Sequence, residues 1–198
     1  MDNKKPSTRK LGTRLGDSGT IITAGRISNE EYNYALVGKA GIRQVEIMRR
    51  SDSTIRAALQ MVKLPLLGLE RDIEAASDDD FDKEVASFIK RELFERNVNF
   101  HDFLRQQMTC FEFGFSVAEK TLELTTFNGK TRVGIAELGF RKQVSIDAWQ
   151  TKEGEPGVTQ QLLSGTVSIP AEKLMVFSFD KEGENYEGIG LLRYAFVS

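Results

Sequence analysis

The chain has a single cysteine, Cys110, and a single histidine, His101. One cysteine excludes an internal disulfide framework and a cysteine-based zinc site. One histidine excludes a two-histidine metal centre and the HExxH hydrolases. Neither sign of charge dominates. Lys and Arg number 27 against 29 Asp and Glu, a formal net charge of −2. That balance excludes a dedicated duplex-DNA clamp, which needs surplus Lys and Arg to displace counterions. No apolar run approaches the roughly 20 residues that span a bilayer. The first residues, Met1 to Ser7, have no apolar stretch behind them. No secretory signal is therefore expected, and the chain reads as intracellular, in a reducing compartment.

What is present is the composition of a folded, soluble chain: 40% hydrophobic and 28% charged residues over 198 positions. That length buries roughly 70% of the unfolded surface and allows one domain or two small ones. Residues 1–26 read as a flexible polar arm in which Lys4, Lys5, Arg9, Lys10 and Arg14 outweigh Asp2 and Asp17. Such an arm is an unstructured tail or a segment ordered by a neighbour or by nucleic acid. Residues 27–112 read as mainly helical and 113–198 as β-rich with a closing helix. The stretch 27–198 is open to being one domain. The class is α+β, with helices followed by a mostly antiparallel sheet region.

A short helix is expected over Glu30 to Val37, and a second around Ile42, Val45 and Met48. Ser51 and Asp52 are N-cap types, and Ile55, Ala58, Leu59 and Val62 follow at helical spacing. That helix should stop before Pro65, with a strand over Leu66 to Ala75. Asp78, Asp79, Asp80 and Asp82 fail as a calcium loop: no glycine sits sixth, and position twelve is Ile89. They read as helix-capping acids ahead of a core stripe of Phe81, Val85, Phe88, Ile89 and Leu93. A further stripe, Phe100, Phe103, Leu104, Met108 and Phe111, has Asn99 as its cap. Alternation then begins at Gly114, with a bulge expected near Glu119, where the phase changes. Asn128-Gly129 signals a type I′ hairpin turn. Strands follow over Val144 to Trp149 and Val158 to Leu162. Leu174 to Phe179 reads as a buried strand, and Glu187 to Val197 as a helix.

Residues arranged for chemistry are few. His101 and Cys110 fall on one expected helix, roughly 13 Å apart by its rise, too far for a dyad. Gly12, Gly16 and Gly19 lack a preceding strand and the Gly-Lys-Ser/Thr of a phosphate loop. Gly188-Ile189-Gly190 lacks the third glycine of a dinucleotide fingerprint. No carboxylate pair stands out for hydrolysis, and the basic doublets Arg49-Arg50, Lys90-Arg91 and Arg141-Lys142 read as solvated edges. No catalytic, cofactor-binding or metal-ligating residue is assigned.

Three stretches resemble portal proteins of tailed bacteriophages, the Mu-like branch being the nearest. They are the helix Met48 to Leu59, with Arg50, Asp52 and Ile55 in an R-x-D-x-x-I pattern; the strand Phe111 to Lys120, with Gly114, Ser116 and Glu119 as G-x-S-x-x-E; and Ile169 to Ala195, in which Pro170 precedes an apolar strand and Gly188, Gly190, Leu192 and Arg193 open a helix. The resemblance implies a wing-like fold and a homo-oligomeric ring at one capsid vertex, a dodecamer in the full-length protein. Double-stranded DNA is packaged and ejected through such a ring, and terminase, capsid and head-completion proteins are its partners. It implies location in the virion, in the host cytoplasm during assembly, with no membrane, no cofactor and no enzymatic activity. Family members are longer, so the chain reads as an N-terminal part ending in a truncated helix, before the stem that lines the channel. Arg193 is expected to reach a carboxylate in bidentate fashion, in its own chain or a neighbour. Two other readings stay open: a small α+β enzyme with an unrecognised carboxylate and arginine site, and a nucleic-acid-binding accessory module using the basic arm.

Overall fold

The computed structural model describes residues 16–96 and 98–196. Most of the expected arm, residues 1–15, lies outside the described residues. Its remainder departs from the expectation. β1 (Ile21–Thr23) and β2 (Arg26–Ser28) pair as a hairpin across Ala24 and Gly25. Gly25 anchors that hairpin, because its carbonyl accepts from the Trp149 amide at 2.7 Å. A single 3₁₀ turn, Tyr34–Leu36, stands within the span expected to form the first helix, capped by Asn33.

α1 (Gly38–Ser51) and α2 (Ser53–Leu67) are separated by Asp52, whose carboxylate accepts from the amides of Thr54 and Ile55. This is the N-cap expected of that residue. α2 does not stop before Pro65 but runs through it. The proline removes one amide that would have bonded the Met61 carbonyl, and Met61 lies on an exposed face of the helix, open to solvent. Gly68 then ends the helix. The strand expected over Leu66 to Ala75 is absent, for Leu66 and Leu67 are helical and 69–79 has no regular structure. The acids of that stretch, Glu70, Asp72 and Glu74, are poor strand formers with no neighbouring edge to join.

α3 (Asp80–Lys90) carries Asp80 and Asp82 in its first turn, where they complement the dipole. It continues into a π-helical turn, Arg91–Glu95. α4 (Phe100–Gln107) is capped by Asn99, which accepts from the Asp102 amide at 3.0 Å. A break at Met108 and Thr109 separates it from α5 (Cys110–Phe113), so His101 and Cys110 lie on different helices. No helix among the described residues is long and apolar enough to cross a membrane.

β3 (Phe115–Phe127) and β4 (Lys130–Arg141) form a long hairpin. Its turn is Asn128-Gly129, with φ of 49° and 73°, the positive pair a type I′ turn requires. The register shift expected near Glu119 falls between Thr121 and Leu122, two residues further on. β5 (Ile146–Ala148), β6 (Gly157–Leu162) and β7 (Gly165–Pro170) make a second antiparallel sheet. β8 (Leu174–Ser178) joins the first, giving the order β4-β3-β8. β8 is an edge strand, and Val176 and Phe177 are exposed, not buried as expected. It covers only Phe115 to Glu119 of β3. The chain closes with α6 (Leu191–Ala195), shorter than the expected Glu187–Val197 because Gly188 and Gly190 hold the preceding residues out of helical conformation.

Two cores result. Phe115, Val117, Ile146, Val158 and Ile169 fill the space between the sheets. Val45, Met48, Leu59 and Leu192 fill the space among the helices, with Ile55, Phe113 and Phe196 against them. The fold is α+β with antiparallel sheets.

Candidate functional site

The place where helices become sheet is built on three glycines. Gly114 ends α5 at φ +92°, a left-handed cap whose amide donates to the Cys110 carbonyl at 2.8 Å. This turns the chain sharply into β3. The Gly114 carbonyl then accepts from the Phe179 amide at 2.7 Å, and the Phe179 carbonyl accepts from the Ile189 amide at 2.9 Å. The turn that carries Gly188 and Gly190 is thereby laid backbone to backbone on Gly114. A Cβ on Gly114 would stand 2.3 Å from the Glu187 carbonyl oxygen; on Gly188, 2.3 Å from that of Phe179; on Gly190, 2.3 Å from that of Glu112. No side chain fits at any of the three. At Gly190 the reason is space alone, since its backbone is extended.

The same junction gathers the apolar motif residues. Ile55 and Leu59 of α2, Phe113 of α5 and Leu192 of α6 share one core. Three sequence stretches separated by more than fifty positions therefore meet in one place. Hydrophobic burial supplies the adhesion, and the glycines set the distance of approach.

Charge ties the helices further. Glu112 is buried and accepts from Arg49 at 2.6 Å, and it is ion-paired to Lys63. One carboxylate so links α1, α2 and α5. The Arg49 guanidinium also donates to Glu46 at 2.6 Å and lies over the Phe113 ring at 5.1 Å. Sequence reasoning missed Glu112. The available signal was a lone acid inside Cys110-Phe111-Glu112-Phe113-Gly114-Phe115, since a carboxylate amid aromatic residues must find a cation.

Arg193 makes a two-pronged contact with Glu31 of its own chain, Nη2 to Oε1 at 3.0 Å and Nε to Oε2 at 2.8 Å. Its guanidinium lies 4.6 Å from the Tyr32 ring centroid. This closes α6 over the segment that precedes α1. The remaining motif residues lie apart. Arg50 is an exposed partner of Glu46. Ser116 is fully buried and donates to the Gln107 carbonyl at 2.7 Å. Glu119 accepts from Arg141 across the hairpin at 2.6 Å. Pro170 closes β7 in the second sheet.

A cleft of about 650 Å³ opens beside the junction, between residues 27–45 and the turn at 185–193. Ile42, Val45 and Phe113 form part of its wall, and Glu187 borders it. Burial raises the pKa of the Glu187 carboxyl, which one hydrogen bond from Trp149 Nε1 at 3.1 Å only partly offsets. A carboxyl raised on folding stabilises the native state below its unfolded pKa and loses that contribution as pH climbs through the native value. Glu187→Gln, which keeps an acceptor for Trp149, should therefore raise Tm at pH 7. The gain should shrink towards zero near pH 4. Thermal melts of both proteins across that range check the sign.

Nothing in this arrangement pairs a nucleophile with a base. Burial raises the Cys110 thiol above its ordinary value, so it stays protonated at neutral pH. His101 is exposed on α4. Among the described residues no three His, Cys, Asp or Glu side chains lie together as a metal site. The sequence model of the family described as portal protein of Mu bacteriophage matches residues 43–198. The chain belongs to that family. The matched stretch runs from within α1 and contains every motif residue of the junction, while Glu31 and the β1–β2 hairpin precede it. No curated protein matches the chain. For a phage portal protein, a structural component, the motif positions have packing and capping roles: glycines for backbone approach, Asp52 for a cap, Leu192 for the core.

Proposed function

We propose that this portal protein forms a homo-oligomeric ring at one vertex of the capsid, through which double-stranded DNA is packaged and ejected. Terminase docks on that ring during packaging, and capsid and head-completion proteins contact it in the virion. The observation that carries this reading is the family match over 43–198, with its three motif stretches packed on a single core. Charge is consistent with it. A net charge of −2 suits a passage that must let phosphates slide rather than hold them.

Oligomer mass tests the reading. Mass photometry and native mass spectrometry of the purified protein, across a wide concentration range, should give a closed oligomer of many subunits. A strict monomer at every concentration would overturn the reading.

A further inference from the structure

Two helices have apolar faces that no other described residue covers. α2 is apolar on both sides. Its inner side supplies Ile55 and Leu59 to the core, while Ala57, Met61, Leu64 and Pro65 are exposed on the other, Met61 to 77%. α3 has the second face. Phe88 turns inward to the Phe127 ring at 5.3 Å, and Phe81, Val85 and Ile89 remain exposed at i, i+4 and i+8, Phe81 to 67%. The core stripe expected on α3 is in this respect wrong: three of its five members face outward.

The rims of the two faces carry opposite charge. α2 has no acidic residue from Ser53 to Leu67, and Arg56 is exposed near its N-terminal end, where Asp52 is engaged as the helix cap and Arg50 is ion-paired to Glu46. α3 begins among Asp78, Asp79, Asp80 and Asp82, with Lys83 the one cation in that stretch. Placing either face on its own copy would set like charges together at the rim. Placing α2 of one copy on α3 of another sets Arg56 against the aspartates beside an apolar centre, as interfaces with complementary potentials do. A contact between two different faces of identical chains is heterologous, and it closes a ring when the rotation from copy to copy divides a full turn.

We propose that the α2 face of one subunit seats on the α3 face of the next, and that this contact propagates the ring. The inference rests on the ring reading above and adds the two surfaces that meet.

Met61→Asp blocks the α2 face and Phe81→Asp the α3 face. Both side chains are exposed, so folding should be kept, as circular dichroism and a cooperative melt would verify. Each variant alone should lose the large oligomer. Mixed in equal amounts, they should form a species of two chains and no larger, because the Met61→Asp copy still offers α3 and the Phe81→Asp copy still offers α2. Wild-type rings with both variants also forming rings would overturn this interface and leave the ring reading standing. Both variants losing the ring with no two-chain species on mixing would also overturn it, pointing to an isologous contact or to a different protein on these faces. A monomeric wild type would overturn the ring reading itself, and this interface with it.

Discussion

Gly114→Ala is expected to cost about 2–5 kcal/mol of stability. The methyl group meets two independent penalties. A left-handed backbone costs a non-glycine residue roughly 1–2 kcal/mol. Overpacking against fixed atoms costs about 1–3 kcal/mol more, and here the obstacle is backbone, the Glu187 carbonyl oxygen at 2.3 Å. For a chain of this length each kcal/mol lowers Tm by roughly 2–4 °C, so a fall of about 10 °C is expected. Gly129→Ala is the matched control. Gly129 also has positive φ, but nothing lies within 4 Å of the place its methyl group would take. It should lose only the dihedral part, roughly 1–2 kcal/mol. Urea denaturation of the two variants separates space from backbone conformation. Equal losses would mean that the turn at 185–190 does not lie against Gly114.

Glu112→Ala is expected to cost about 3 kcal/mol, the lower end of what removing one partner from a buried pair costs. Arg49 and Lys63 would keep their charges in a largely desolvated place with no carboxylate between them. Lys63→Met should cost less, because Glu112 retains Arg49. The two substitutions share a partner and should not add. A double-mutant cycle should give a coupling of about 1–2 kcal/mol, where independent sites add to within roughly 0.5 kcal/mol. Strict additivity would show that the carboxylate does not join α2 to α5.

Local signals were the most legible part of the fold. Asn99 and Asp52 act on amides two or three residues away, so their capping roles can be read from a short window. Asn128-Gly129 fixes its own turn in the same way. What failed depended on distant surroundings. Spacing gave Phe81, Val85 and Ile89 a common face but could not say whether anything covers it. Leu174 to Ser178 looks like a buried strand because it is apolar, yet it pairs only with β3 and lies at the sheet edge, a placement set by partners distant in sequence. Pro65 looks like a stop because the exposure of Met61, which makes the lost bond tolerable, is a tertiary fact.

The junction was legible in pieces only. Gly114, Gly188, Gly190 and Leu192 could each be singled out, and the need for tight turns at the glycines could be argued from their residue type. That Gly190 abuts the backbone of Glu112, or that Leu192 meets Leu59, depends on chain separations of more than seventy residues. Glu31, the partner of Arg193, lies 162 positions away. Its own neighbours, Glu30 and Tyr32, give no sign of the pairing.

Native-state hydrogen exchange resolves the junction most directly. The Phe179 and Ile189 amides flank a surface turn, yet each is bonded into the contact with Gly114 or with Phe179. Both should exchange as slowly as the Val117 amide of the core strand, opening only with global unfolding and with the same denaturant dependence. Exchange as fast as that of the loop amide of Gly154 would contradict the packing of the three motif stretches at one glycine-built junction.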